Sequence, residues 1–136
     1  MTKRKQLGIK LTQLNWLLGL SSPLPLESKV LIYKTILKPI WTYGIQLWGA
    51  SARTNVDIIQ RFQSKTLRQI AKAPWYISNA HLHRDLAIPY VHEELSTYST
   101  NYFNRLQNHP NELAAQMTET SHNTRRLRRR APEDFI

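Results

Sequence analysis

Apolar positions recur at helical intervals along most of this chain. Leu7, Leu11, Leu14 and Leu18 repeat at steps of three and four, with Trp16 and Leu17 widening the stripe. That pattern predicts a first helix over about residues 3–18. Gly19 and Ser21-Ser22-Pro23 stop it. Pro25 suits the opening turn of a second helix, where Glu27 faces the positive end of the dipole. Val30, Leu31, Leu37 and Trp41 mark that helix, together with Lys34 and Lys38. Pro39 lies inside it, so a kink or break is expected near residues 35–38. From Ile40 to Gly49 the chain is apolar nearly all round. That stretch suits a second buried helical half or a short strand, and periodicity does not choose between them.

The third helix is the clearest. Thr54 followed by Asp57 has capping-box spacing, which places the start there. Val56, Ile59, Phe62, Thr66, Leu67 and Ile70 form one face, and Pro74 closes the segment. A short fourth helix is expected over about residues 79–86, ended by Ile88-Pro89. A fifth covers about 91–108, with Val91, Leu95, Tyr98, Tyr102 and Leu106 on one side and Pro110 beyond. A last turn over about 112–117 precedes a tail whose composition predicts disorder. The fold expected is all-α, an irregular bundle of five or six helices with short connections.

Charge changes this picture by its distribution. The 136 residues carry 19 Lys and Arg against 9 Asp and Glu, net +10. Residues 1–90 hold 13 basic and 3 acidic side chains, net +10; residues 91–124 hold 1 and 4, net −3. The last twelve hold 5 and 2, net +3, in a run of Arg125, Arg126, Arg128, Arg129 and Arg130. Such a basic body favours polyanionic partners. On the third helix Arg61, Lys65, Arg68 and Lys72 fall at i, i+4, i+7 and i+11, opposite the apolar face. A 17-residue helix spans about 25 Å, enough to follow several phosphates. An ordinary solvated face has the same spacing. Lys3, Arg4, Lys5 and Lys10 at one end, with almost no acid between, tip the balance toward nucleic acid. No base-reading motif is present, so binding should be directed at the backbone and sensitive to salt. The arginine tail suits a nuclear-import signal, a phosphate-binding arm or a solvated terminus.

Other chemistry is thinly supported. Cysteine is absent, which removes disulfides, thiolate zinc sites and cysteine nucleophiles. His81 and His83 lie two apart, on different sides of a helix, with no third ligand near; no metal site is expected, and His81 should pair with Asp85. His83-Arg84-Asp85-Leu86 matches a kinase catalytic loop only superficially, because the glycine-rich loop and its companions are missing. Glu93-Glu94 and Glu133-Asp134 do not supply converging carboxylates for two-metal phosphoryl transfer. No catalytic residue is assigned. Aromatic residues crowd into Trp41-Thr42-Tyr43, Trp48 and Trp75-Tyr76; stacking on bases is one use, but their apolar neighbours favour burial, with polar tips on backbone carbonyls. No run approaches the roughly 20 apolar residues of a membrane span, no signal-peptide pattern follows the basic start, and an intracellular protein is expected.

The string Leu37-Lys38-Pro39-Ile40-Trp41-Thr42-Tyr43-Gly44-Ile45-Gln46-Leu47-Trp48-Gly49 resembles the segment that follows the polymerase palm in reverse transcriptases of jockey-type non-LTR retrotransposons. The resemblance continues, in order, through Ile59-Gln60-Arg61-Phe62-Gln63-Ser64-Lys65, Ala73-Pro74-Trp75-Tyr76, His83-Arg84-Asp85-Leu86 with Ile88-Pro89, Glu93-Glu94, His109-Pro110-Asn111 and the arginine tail. It implies a thumb-like region over residues 1–73, a C-terminal helical extension over 74–118 and a basic tail over 119–136. The family's catalytic aspartates and their Mg2+ would belong to a palm upstream, so no cofactor is expected in this chain, and Met1 would be a start within a longer ancestral frame. Implied partners are an RNA/DNA duplex or other nucleic acid, and the missing palm or a second copy through an exposed apolar face, with no membrane; the nucleus or cytoplasm is the implied location, the tail favouring the nucleus. Lys3, Arg4, Lys5, Arg61, Lys65, Arg68 and Lys72 are the expected phosphate contacts. Ala87 stands where the family pattern leads one to expect glycine. If that position needs positive φ, alanine strains it by roughly 1 kcal/mol.

Overall fold

The computed structural model describes residues 2–49 and 53–113, and among them every regular element is helical. Helix α1 (Lys3–Gln13) and α2 (Asn15–Leu18) are separated only by Leu14, whose φ of −93° and ψ of 3° leave the helical region. Leu7 and Leu18 are buried, and Leu11 and Leu14 pack against the core. Trp16 does not extend that stripe as the sequence suggested: it is 74% exposed. Two residues on from Leu14, it points roughly 200° around the helix, away from the core.

Pro39 does not end the second helix. α3 (Leu26–Ile32) runs into a π-helical turn (Tyr33–Leu37) and on into α4 (Lys38–Thr42). The Lys38 N–H reaches back five residues to Tyr33 O. The extra residue in this turn relieves the clash a proline ring would make with the carbonyl four residues earlier. Tyr33, Leu37 and Trp41 are thereby all brought into the core. Beyond α4, Tyr43 (φ −60°, ψ 117°) and Gly44 (φ 64°) have the dihedrals of a type II turn, which requires glycine at its second position. α5 (Ile45–Gly49) follows, so the apolar stretch is two short helical pieces and not a strand. It is also not buried all round: Ile45 faces the core, while Tyr43 and Leu47 are exposed.

α6 (Arg53–Ile70) is the centre of the fold and touches α1, α3, α5, α7 and α8. It starts one residue before the expected cap, so Thr54 lies inside the first turn. Ile59, Phe62, Thr66, Leu67 and Ile70 are buried as the pattern predicted, and Gln63 is buried with them. Its end is a Schellman motif: Ala73 N–H bonds Arg68 O at 3.0 Å, Lys72 N–H bonds Gln69 O at 3.3 Å, and Lys72 takes φ 50°. α7 (Asn79–Asp85) is capped by Ser78, which accepts from His81 N–H. It closes the same way, with Ile88 N–H on His83 O, Ala87 N–H on Arg84 O and Ala87 at φ 48°. The alanine where glycine was expected does occupy a left-handed position. α8 (Val91–Gln107) begins with the Glu93 carboxylate accepting from Tyr90 N–H.

One hydrophobic core takes side chains from Leu7 through Leu95. α8 meets it only through its first half; Tyr98 and Tyr102, expected on its apolar side, lie at the surface. Two polar ties hold the periphery. The buried Lys29 ammonium donates to Gly19 O and Ser22 O, pinning the α2–α3 loop. Lys38 pairs with the buried Glu94 across α4 and α8. The Tyr33 hydroxyl is buried without a well-formed hydrogen bond, and burial pushes its pKa up to about 12, only partly offset by Trp41 and Gln63 beside it. Among the described residues no helix is long and apolar enough to cross a membrane. Apart from Glu112 and Leu113, the turn expected over 112–117 and the arginine tail lie outside the described residues.

Candidate nucleic-acid interface

The outward side of α6 carries the features on which a polyanion could lie. Ile58, Arg61 and Lys65 share one face by i, i+3 and i+7 spacing. Arg61 and Lys65 are exposed, and with the half-buried Arg68 they line a shallow groove of about 390 Å³ with Gln60, Ser64, Asn79 and Tyr90. Lys72, expected on the last helical turn, sits just past it in the left-handed position of the Schellman motif and is exposed. Among the described residues the ion pairs are Lys38–Glu94 and Arg84–Asp85, so Arg61, Lys65 and Lys72 keep their charge unpaired by carboxylates. No Asp or Glu occurs from residue 58 to residue 84. This side therefore carries net positive charge, with Asp57, one turn before Arg61, as the acid of the same helix.

Arg68 differs from its neighbours. Its guanidinium donates to Pro74 O at 2.8 Å, Ile77 O at 2.7 Å and the Asn79 Oδ1 at 2.9 Å. It therefore fastens the loop between α6 and α7 while lending its charge to the groove. Of its five N–H donors, three are used in this way.

Lys3 and Arg4 approach the other end of α6. They line a hollow of about 440 Å³ with Thr2, Trp48, Asn55, Ile58 and Ile59. Lys3 donates to Ile40 O at 3.1 Å and lies 4.9 Å from the Tyr43 ring centroid; Arg4 lies 4.9 Å from that of Phe62. Neither of these contacts involves a carboxylate. Lys5 is exposed on α1. The structure thus groups Arg61, Lys65 and Arg68 in one groove and Lys3 with Arg4 in a second hollow along the same helix. Arg125, Arg126, Arg128, Arg129 and Arg130 lie outside the described residues.

The floor of the groove was not legible in the sequence. His83 is buried, with Nδ1 2.8 Å from Ile88 O and Nε2 3.3 Å from the Gln60 amide nitrogen. A carbonyl only accepts, so the proton sits on Nδ1 and Nε2 takes the Gln60 donor. The same Gln60 accepts from Val91 N–H at 2.8 Å, and His83 stacks on Tyr90 at 4.0 Å. Gln60, His83 and Tyr90 thereby lock α6, α7 and the start of α8 together under the cations. His81 turns instead to the Ser78 hydroxyl at 2.7 Å and not to Asp85, which pairs with Arg84. Among the described residues no cluster of three His, Asp or Glu is placed to hold a metal ion. Glu93 and Glu94 do not fit a magnesium site either, since one caps α8 and the other is tied to Lys38.

The aromatic expectation divides. Trp41 is buried and Trp48 donates its indole N–H to Trp41 O at 2.9 Å. The expected burial of Trp75 and Tyr76 is overturned: they are 90% and 69% exposed. Their apolar sequence neighbours do not decide the matter because Pro74 ends the turn region outside the core, and only Ile77 tucks back.

The described residues form an all-helical piece with a cationic face, and sequence relatives make its lineage specific. The chain is 41% identical over 133 residues to a probable RNA-directed DNA polymerase from transposon X-element of Drosophila melanogaster, covering 98% of this chain and 14% of that protein. It is 36% identical over 135 residues to the RNA-directed DNA polymerase from mobile element jockey of Drosophila funebris, covering 93% of this chain and 15% of that one. A probable RNA-directed DNA polymerase from transposon BS of Drosophila melanogaster is 37% identical over 121 residues. By sequence the chain belongs with the jockey-type retroelement RNA-directed DNA polymerases, as a segment of them. It spans about 15% of the length of the curated relatives it matches. No protein-family model matches the chain, and no solved structure matches it.

Proposed function

We propose that this segment serves as the thumb-like, non-catalytic grip of a retroelement RNA-directed DNA polymerase, holding the template–primer duplex by its backbone. The observation that carries this reading is the groove on α6, lined by Arg61, Lys65 and Arg68 and by no carboxylate. Lys72 extends the track beyond the helix end, and Lys3, Arg4 and Lys5 add charge at the other. Synthesis, and the Mg2+ it uses, would belong to a palm outside these residues; the segment itself takes no cofactor. The arginine tail suits a nuclear site of action.

Titrating a fluorescent RNA–DNA duplex with this chain at several salt concentrations tests the grip. Four phosphate contacts give a slope of log affinity on log salt of about −3.6. A slope near zero, or no binding at low salt, contradicts it.

A second reading, a helical interaction module without a nucleic-acid role, is favoured by one observation. Trp16, Leu20, Leu31 and Leu47 are exposed apolar side chains that the rest of a polymerase, or a second copy, would cover. Replacing Arg61, Lys65 and Lys72 by alanine separates the two: unchanged duplex binding supports the module.

A further inference from the structure

Among the described residues Trp75 is the most exposed large hydrophobic side chain, at 90%, and Tyr76 beside it is 69% exposed. A tryptophan carries 150–250 Å² of largely apolar area, roughly the payload of a core anchor, and here nearly all of it meets water. The loop that displays it is nonetheless held firmly. Arg68 donates to Pro74 O and Ile77 O on either side of the two aromatics, and Ile77 N–H bonds Pro74 O at 3.1 Å, closing a turn with Trp75 and Tyr76 at its two central positions. The Schellman motif at Lys72 fixes the entry to this loop and the Ser78 cap fixes its exit. The two rings meet edge to face, centroids 6.0 Å apart at 82°, which leaves flat ring surface open to solvent. A rigid aromatic pair loses little entropy when something stacks on it.

The surroundings say what that something is. Arg68 and Asn79, which bracket the aromatic turn, also line the cationic groove with Arg61 and Lys65. A ligand reaching from one to the other must carry both π-faces and negative charge. Unpaired nucleotides do, with bases for the rings and phosphates for the cations. A purely apolar protein surface satisfies the rings and leaves the groove's charge unanswered.

We propose that Trp75 and Tyr76 form a stacking platform for unpaired nucleobases of a strand whose phosphates continue along the α6 groove. The platform rests on the reading of that groove as a phosphate track and extends it from duplex to the single-stranded end beside it. The test compares two probes bound to this chain: a blunt RNA–DNA duplex and the same duplex with a short single-stranded RNA overhang. The unaltered chain should bind the overhang probe about tenfold more tightly. Trp75→Ala should erase that preference while leaving blunt-duplex affinity and its salt slope unchanged, and Trp75→Phe should keep most of it. The exposure of the side chain leaves folding unaffected by either change. A preference that survives Trp75→Ala, or is absent from the unaltered chain, overturns the platform. So does a Trp75→Ala effect seen only as reduced self-association in sedimentation. Lys65→Ala should instead weaken both probes and flatten the salt slope. If blunt-duplex binding proves insensitive to salt, the phosphate track fails, and an overhang preference that persists and is lost with Trp75→Ala leaves the stacking contact without the track proposed for it. A salt-sensitive grip with no overhang preference sinks the platform alone.

Discussion

The α3–α4 segment and the outer side of α6 are both basic, yet they use their charge differently. Lys29, only 1% exposed, spends its ammonium on two loop carbonyls, and Lys38 is bound to Glu94. On α6, Arg61 and Lys65 stand in the open with no partner among the described residues, and Arg68 divides its donors between a loop and the groove. A net charge of +10 is thus a poor measure of a binding surface. What counts is which cations the fold has not already committed. One region uses lysine as a bolt, the other offers cations to a ligand.

The sharpest way to break this contrast is to unmake a bolt. Lys38→Ala leaves the buried Glu94 carboxylate unpaired and should destabilise the fold by about 3 kcal/mol, read as a lower urea midpoint. A change below about 0.5 kcal/mol would mean that Lys38 belongs with the free cations. Lys29→Ala should cost a comparable amount, because Gly19 O and Ser22 O lose a donor and a cavity opens.

The next effect concerns the buried Tyr33. Its folded pKa is raised by desolvation to about 12 from 10, so the folded state holds the proton more tightly. Stability should therefore be intact below pH 10 and fall as pH rises through 12, by roughly 2 kcal/mol. Tyr33→Phe should flatten that alkaline decline relative to the unaltered chain in thermal melts. Equal slopes for the two proteins would refute the assignment.

Smallest is a gain at the α7 exit. Ala87→Gly relieves a left-handed residue with a Cβ and should stabilise by about 1 kcal/mol in the same melts. The corresponding Lys72→Gly should stabilise similarly while removing a cation from the proposed track, so its stability and its duplex affinity should move in opposite directions.

Much of this was legible in residue order, for identifiable reasons. The buried face of α6 follows from 3.6-residue periodicity, which survives any tertiary arrangement. Ala87 could be flagged because a helix exit favours glycine and the family pattern has it there. The π-turn before Pro39 was half visible: the proline announces a disturbance, but whether the chain breaks or inserts a residue depends on what Tyr33 and Trp41 pack against. The exposure of Trp75 and Tyr76 was misread because hydropathy averages over neighbours, whereas Pro74 and the Arg68 clasp carry these two side chains off the core. The Gln60 contacts to His83 and Val91 join residues 23 and 31 apart through single hydrogen bonds, and the Arg68 clasp reaches 6 to 11 residues along the chain, spacings that no helical or strand period encodes.

The assignment of the α6 groove as the phosphate track is tested most directly by duplex binding of two variants across a salt series. Arg61→Ala combined with Lys65→Ala should flatten the slope of log affinity on log salt by about 1.8, while Lys34→Ala, on the exposed side of the π-turn, should leave it unchanged. Equal slopes for all three proteins, or a larger change with Lys34→Ala, would contradict the assignment of the α6 groove as the phosphate track.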